Sequence, residues 1–422
     1  MQSSSFVNNL GNRIRDALPS TRLVPIDFTR GLVMILMALD HASIINPYHV
    51  GGEGFFGNRP EYPDVITFLT RFVTHFCAPA FLFLAGTAIT LSTVRRQEKG
   101  ETQMAISQHL VIRGLILLLI EWILISTLFN ISFGAIQLYF GILACIGVGM
   151  ILFAFAHRLP SSVLLIFSVG IILLSPFLMM LQSSAPIIDF ETETNEILRF
   201  LAVALFLPMQ FEGKLYGIYP LIPWLGVMGL GVVFGRWLIQ QQEISSSDRK
   251  IAERLGLFGG LCLIIFFVLR FASLFGVPTW PMNYLAPESL AIDSFFLIAK
   301  YPPSIVFLLW SLGGTLIFLA IGFLLQDNAR FRSLMTPVLL FGATALFFYC
   351  VHMTLFIGGA MLLWTLIPTF DPKNPLFIPP EVLVALTVSL IWWIIVLLVL
   401  IPICLWFRDM KSRYPSSVLK YI

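Results

Sequence analysis

Long apolar runs recur along this chain, separated by short polar segments. They fall near residues 26–46, 68–92, 110–130, 134–156, 161–181, 216–239, 255–277, 303–325, 338–366 and 382–407. A helix needs about 20 mostly apolar residues to cross the hydrocarbon core of a bilayer, and each of these windows is long enough. The pattern predicts an all-α, polytopic membrane bundle of about ten transmembrane helices. A further apolar stretch at 197–209 is only about a dozen residues long and is expected to lie at the interface or to re-enter the membrane.

Composition agrees with the pattern. Hydrophobic residues make up 58% of the 422, charged residues only 12%, and the mean hydropathy is +0.89, which excludes an ordinary soluble domain. The basic clusters Arg95/Arg96/Lys99, Arg249/Lys250/Arg254 and Arg408/Lys411/Arg413 fall on one side of the ten-helix arrangement. The other side holds only Arg59, Arg199, Lys214, Lys300 and Lys373. By the positive-inside rule both termini are then cytoplasmic, and reading 197–209 as an eleventh span would misplace the Arg249 cluster. The expected organisation is a cytoplasmic tail over 1–22, one membrane domain over 23–407 and a second cytoplasmic tail over 408–422. Because the first 22 residues are polar and basic, no cleavable signal peptide is expected.

The net charge of +3 is accounted for by this cytoplasmic rim facing anionic lipid, so it gives no argument for nucleic-acid binding. The five cysteines lie singly on different spans without C-x-x-C spacing, which indicates neither a disulfide framework nor a zinc site.

The informative polar groups are those inside the apolar windows, because a charge at the centre of a spanning helix costs roughly 2.5 to 3.5 kcal/mol on insertion scales. The first window reads PIDFTRGLVMILMALDHASIINPYH and is polar at both ends. Asp27 and Arg30 are three apart, which suits an interfacial ion pair or an anion site facing the cytoplasm. Asp40 and His41 lie roughly 16 Å further along the axis. As sequence neighbours they point in different directions, so each needs a partner from another helix.

On the second window Arg71 and His75 share a face at a spacing of four and at the depth of Asp40 and His41. Arg270, and His352 with Tyr349 three residues before it, are candidates for the same outer cluster. The plain alternative for each is a polar residue satisfied inside the bundle or reaching to the interface. Arg113 opens the third window and Glu121 lies two turns deeper on the same face, where a structural lock to an arginine competes with a role at a site. His49 follows the first helix in an outer loop. Pro79 and Gly86, and Pro220 and Pro223 beside Trp224, are expected to interrupt regular helices, as broken helices lining cavities do.

The segments IDFTRGLVMILMALDH (26–41), LTRFVTHFCAPAFLFLAGTA (69–88), IRGLILLLIEW (112–122), YPLIPWLGVMGLGVVFGR (219–236), KYPPS (300–304) and FGATALFFYCVHM (341–353) together resemble the transmembrane acyltransferases related to heparan-alpha-glucosaminide N-acetyltransferase, in their bacterial branch. The resemblance implies an enzyme of the bacterial inner membrane. It would take an acetyl or other acyl group from cytoplasmic acetyl-CoA (acyl-CoA) and pass it to an amine or hydroxyl of an extracytoplasmic sugar or glycan, with no metal. It implies an essential histidine just after the first helix, where His49 is nearest by position. The chain departs from the sugar N-acetyltransferase branch in carrying Asp40-His41 where that branch has an asparagine.

On this reading His41 or His49 is the general base, with Asp40 orienting or charging it. Arg71 or His75 stabilises the oxyanion, with Arg270 and His352 on the substrate. Arg30, Arg113, Glu121 and Trp224 belong to the acyl-CoA end. The partners are acyl-CoA, the acceptor, the lipid bilayer and, as an option, a second copy of the chain. A proton-coupled transporter using Asp40, His41, Glu121 and Arg270 as a relay remains the rival from another class; no internal inverted repeat favours it.

Overall fold

The structure is a computed structural model that describes residues 23–42, 59–62, 64–133, 136–184, 205, 209–211, 215–244, 246–279, 282–366 and 382–421. In chain order the elements are helices α1 (Val24–Ala42), α2 (Val65–Phe72), α3 (Cys77–Glu98), α4 (Gln103–Leu119) and α5 (Ser126–Phe133). Strand β1 (Leu138–Phe140), helices α6 (Ile142–Ala156) and α7 (Ser161–Ser184), and strands β2 (Met209–Phe211) and β3 (Leu215–Gly217) follow. The rest is α8 (Leu221–Glu243), α9 (Asp248–Leu274), the single turn α10 (Ile292–Phe295), α11 (Ile305–Leu325), α12 (Ala329–Leu334), α13 (Thr336–Ala343), α14 (Ala345–Leu366) and α15 (Val382–Arg413).

Every one of the ten apolar windows contains a helix, and among the described residues seven helical stretches are long and apolar enough to cross a membrane. The protein is a helical membrane bundle. Helix α1 is not among the seven: it carries Asp27, Arg30 and Asp40 within 19 residues. The window 134–156 is helical only from Ile142, because the chain before Gly141 runs as β1. That strand pairs in parallel with β3, which pairs antiparallel with β2, so a three-stranded sheet in the order β1-β3-β2 adds to the all-α bundle. Three-residue strands carry no period that a sequence reading can detect.

The prolines do not all break helices. The second window is interrupted, by a 3₁₀ turn over Val73–Phe76 between α2 and α3. Pro79 then sits in the first turn of α3, and Pro223 in the first turn of α8, where a missing N–H leaves no intrahelical bond unmade. Gly86 lies mid-helix without a break.

The chain folds as two compact units. One comprises residues 1–50, 246–261 and 313–422; the other comprises 51–245 and 262–312. In the first, α1 is mostly buried, and a Cβ on Gly31 would collide with the carbonyl oxygen of Val338 in α13. The contact is reciprocal, since a Cβ on Gly342 would strike the carbonyl of Asp27. Small residues let these helices meet backbone to backbone, the usual way apolar helices associate where burial from water drives nothing. Trp393 of α15 donates its indole N–H to the carbonyl of Ile35, 3.0 Å away, which fixes α15 against the middle of α1.

In the second unit α3 and α8 cross by the same device, Gly86 against the Met228 carbonyl and Gly231 against that of Phe83. Thr87 and Thr90 add hydroxyl bonds to the carbonyls of Gly231 and Val232, at 3.2 and 2.9 Å. These interhelical bonds satisfy donors that would otherwise face hydrocarbon.

Candidate functional site

Helix α1 ends in Asp40 and His41, and in the same unit the middle of α14 presents His352 to it. His41 Nδ1 lies 2.8 Å from His352 Nε2, with the rings stacked at 5.1 Å between centroids. His352 is fully buried among Phe348, Tyr349 and Phe356, and its Nδ1 is 3.0 Å from the carbonyl oxygen of Phe348. A carbonyl only accepts, so His352 carries its proton on Nδ1 and offers the Nε2 lone pair. His41 must then donate from Nδ1, so that Nε2 is the basic nitrogen of its neutral ring. The backbone of α14 thus sets the tautomer of both rings, and the basic nitrogen belongs to the half-exposed histidine. Asp40 is half-buried beside it.

At the other end of α1, Arg30 approaches Asp27 at 3.7 Å and the carbonyl of Gly342 at 3.5 Å. The two side chains therefore pair, as a spacing of three allows. His49, the tail 1–22 and most of 197–209 lie outside the described residues.

Arg71, His75 and Arg270 belong to the second unit. Arg71 closes α2 and His75 sits in the 3₁₀ turn after it, buried with its ring edge-on to Phe72 and Phe307. The groups facing Arg71 include Tyr301, Tyr219 and Cys77. Arg270 does something else. It is fully buried, and its guanidinium donates to Phe295 O (2.7 Å), Asn283 Oδ1 (2.6 Å), Leu285 O (2.6 Å) and Ser294 O (3.0 Å). Phe295 also packs its ring 5.7 Å from the cation. A planar fork with this many protein acceptors is a clamp holding the 283–295 segment to α9.

Glu121 also has a structural job. It lies in a π-helical turn, Ile120–Ile125, between α4 and α5, and is buried. Its Oε2 accepts from the Leu143 amide at 3.1 Å, at the first turn of α6. Gly141, the N-cap of α6, has no side chain, and a Cβ there would run into the Glu121 carboxylate. The carboxylate therefore caps α6 from outside, where the N-terminal amides favour an anion. Glu121→Gln keeps an acceptor for Leu143 and is expected to melt within a few degrees of wild type, whereas Glu121→Leu strands that amide at a cost of about 1–3 kcal/mol. Thermal unfolding of both variants in detergent checks this. Arg113 is half-buried on α4.

Trp224 is fully buried in the first turn of α8, next to Tyr219. Sequence reasoning missed Lys300, Tyr301 and Tyr219. Lys300 is buried with its Nζ 5.0 Å from the Tyr301 ring, and the Tyr301 and Tyr219 hydroxyls lie 3.2 Å apart. The signal was there in KYPPS, where a lysine precedes an aromatic and two prolines at the start of an apolar window, but Lys300 counted only as an outer-loop charge.

Comparison with known families matches residues 22–271 to the family described as heparan-alpha-glucosaminide N-acetyltransferase, catalytic, which is more than half of the chain. A search of curated proteins returns no match. The matched region holds α1 with Asp40 and His41, the Arg71–His75 turn, Glu121 and α8, all on a helical membrane scaffold; His352 lies beyond it. The chain belongs to the heparan-alpha-glucosaminide N-acetyltransferase catalytic family, a family of membrane acetyltransferases.

Proposed function

We propose that this protein takes an acyl group, acetyl in the first instance, from cytoplasmic acyl-CoA and delivers it to an amine or hydroxyl of an extracytoplasmic saccharide. The observation that carries the reading is the His41–His352 pair, which leaves His41 Nε2 as a base of fixed tautomer at the end of a membrane helix. His41 Nε2 removes the proton from the acceptor nucleophile as it attacks the thioester carbonyl. The carbon–sulfur bond then breaks, and the thiolate of CoA leaves with the proton returned by the imidazolium. His352 spreads the charge of the imidazolium, since its Nε2 accepts from His41 throughout. Asp40, the neighbouring carboxylate on α1, is assigned to orient the ring.

All ten apolar windows cross the bilayer in this reading, with both termini in the cytoplasm, so α1 carries the chemistry from the Asp27–Arg30 end outward. The family matched over residues 22–271 and the basic clusters at one set of helix ends support that sense. Arg30, at the Asp27 end of α1, is the group assigned to the donor, because a guanidinium suits CoA phosphates. His49, at the outer end of the same segment, is a second base for the acceptor. The membrane is that of a bacterial cell.

Sidedness is the discriminating test. In proteoliposomes with acetyl-CoA outside and a panel of amino sugars trapped inside, acetylated sugar is expected in the lumen from the fraction of molecules facing that way. A transporter would give no acetylated product on either side, and its rate would not depend on CoA.

A further inference from the structure

The second unit gathers a second set of polar groups that the proton-transfer chemistry at His41 does not use. They stand where three chain segments lead into helices. Arg71 closes α2 just before α3, Tyr219 precedes α8, and Lys300 and Tyr301 precede α11. Lys300 and Tyr301 are buried, Tyr219 is half-buried, and the two hydroxyls meet at 3.2 Å. Cys77 lies within electrostatic reach of both Arg71 and Lys300, which puts the two cations in one neighbourhood. The Lys300 turn is held rigidly: Ser304 bonds back to Ala299 through both its amide and its hydroxyl, at 3.0 and 3.1 Å, and the Tyr284 hydroxyl donates to Pro302 O.

Two further observations point to a missing acceptor. The indole N–H of Trp224, fully buried beside Tyr219, has no hydrogen-bond acceptor among the described residues. Helix α8 begins at Leu221 after Pro220, which supplies no side-chain cap, and a helix N-terminus of that kind favours an anion. A guanidinium, an ammonium, the Tyr219 hydroxyl to which Tyr301 donates, an indole N–H and a helix N-terminus all suit one kind of ligand, an anion. Their combined charge of two matches a phosphate ester or diphosphate better than a single carboxylate.

We propose that Arg71, Lys300, Tyr219, Tyr301 and Trp224 form a binding site for a phosphate group carried by one of the substrates. This deepens the acyl-transfer reading and rests on it for the substrate's role. The phosphate could belong to a phosphorylated saccharide acceptor or to the CoA donor, and the two sources are separable by experiment.

Binding is measured on the purified full-length protein in detergent, by calorimetry and without any transfer, for glucosamine 6-phosphate, CoA, pyrophosphate and glucuronate. Wild type is expected to bind at least one phosphate compound, and glucuronate about tenfold more weakly or not at all. Lys300→Met should weaken that phosphate compound by about tenfold or more, and Lys300→Arg should restore most of the loss. Tyr301→Phe, which removes only a hydroxyl, guards against a misfolded Lys300→Met and should weaken binding several-fold. Sensitivity of glucosamine 6-phosphate assigns the phosphate to the acceptor, and sensitivity of CoA assigns it to the donor. The proposal is overturned if no phosphate compound binds, if glucuronate binds equally well, or if Lys300→Met and Tyr301→Phe bind as wild type does. A protein that binds phosphate through Lys300 but transfers no acyl group would refute the acyltransfer reading alone.

Discussion

Replacing His41 with alanine is expected to lower acyl transfer by about 10²–10⁴-fold, the usual contribution of a positioned general base. The helix itself should survive, because His41 is half-exposed at the last turn of α1 and alanine is a strong helix former. The more telling variants are at His352, which acts only through His41. His352→Leu removes the acceptor for His41 Nδ1–H and frees the ring to rotate or change tautomer. A wrong tautomer costs up to about 10⁴-fold in the serine protease triad, where an aspartate does the same orienting. His352→Gln can still accept that proton through its side-chain oxygen and is expected to recover much of the loss. Turnover should fall in the leucine variant with little change in the apparent affinity for acyl-CoA. A purely structural His352 would instead give parallel losses of folded protein in both variants.

The second large effect is on stability. Arg270→Ala would leave Phe295 O, Asn283 Oδ1, Leu285 O and Ser294 O without their common donor. At about 1–3 kcal/mol for each buried group left unsatisfied, the loss is at least several kcal/mol, enough to lower the melting temperature sharply or prevent accumulation of folded protein. Arg270→Lys keeps the charge but offers a compact ammonium in place of a fork, so it should recover only part of the stability. Size-exclusion profiles after heating distinguish the variants. An Arg270→Ala protein that melts like wild type but has lost transfer would mean that the arginine serves substrate rather than the 283–295 segment.

Much of this was legible in the chain. The ten apolar windows each hold a helix, since hydropathy over 20 residues is a strong signal. Neighbouring positions on a helix face apart, so Asp40 and His41 each called for a partner from another element; His352 supplies it for His41. The spacing of Asp27 and Arg30 likewise anticipated their pairing.

The sequence was silent where the answer depended on segments without period. Arg270 read as a substrate group because its acceptors are backbone carbonyls of an irregular segment, and a carbonyl has no signature in a sequence. Glu121 read as a group seeking an arginine, while its partner is an amide exposed by the start of α6 and by the bare Cα of Gly141. Lys300 and Tyr301 gain their setting from the ends of α2, α8 and α11 within one unit, which no local pattern in the sequence encodes. Pro223 suggested a broken helix, although a proline in the first turn begins one.

The most direct measurement is release of free CoA thiol from acetyl-CoA by purified wild type, His41→Ala, His352→Leu and His352→Gln, in the presence of a panel of amino sugars and glycans. The account predicts acceptor-dependent release by wild type, almost none from His41→Ala and His352→Leu, and partial recovery in His352→Gln. Equal release from all four proteins, or none from wild type with any acceptor, would contradict it.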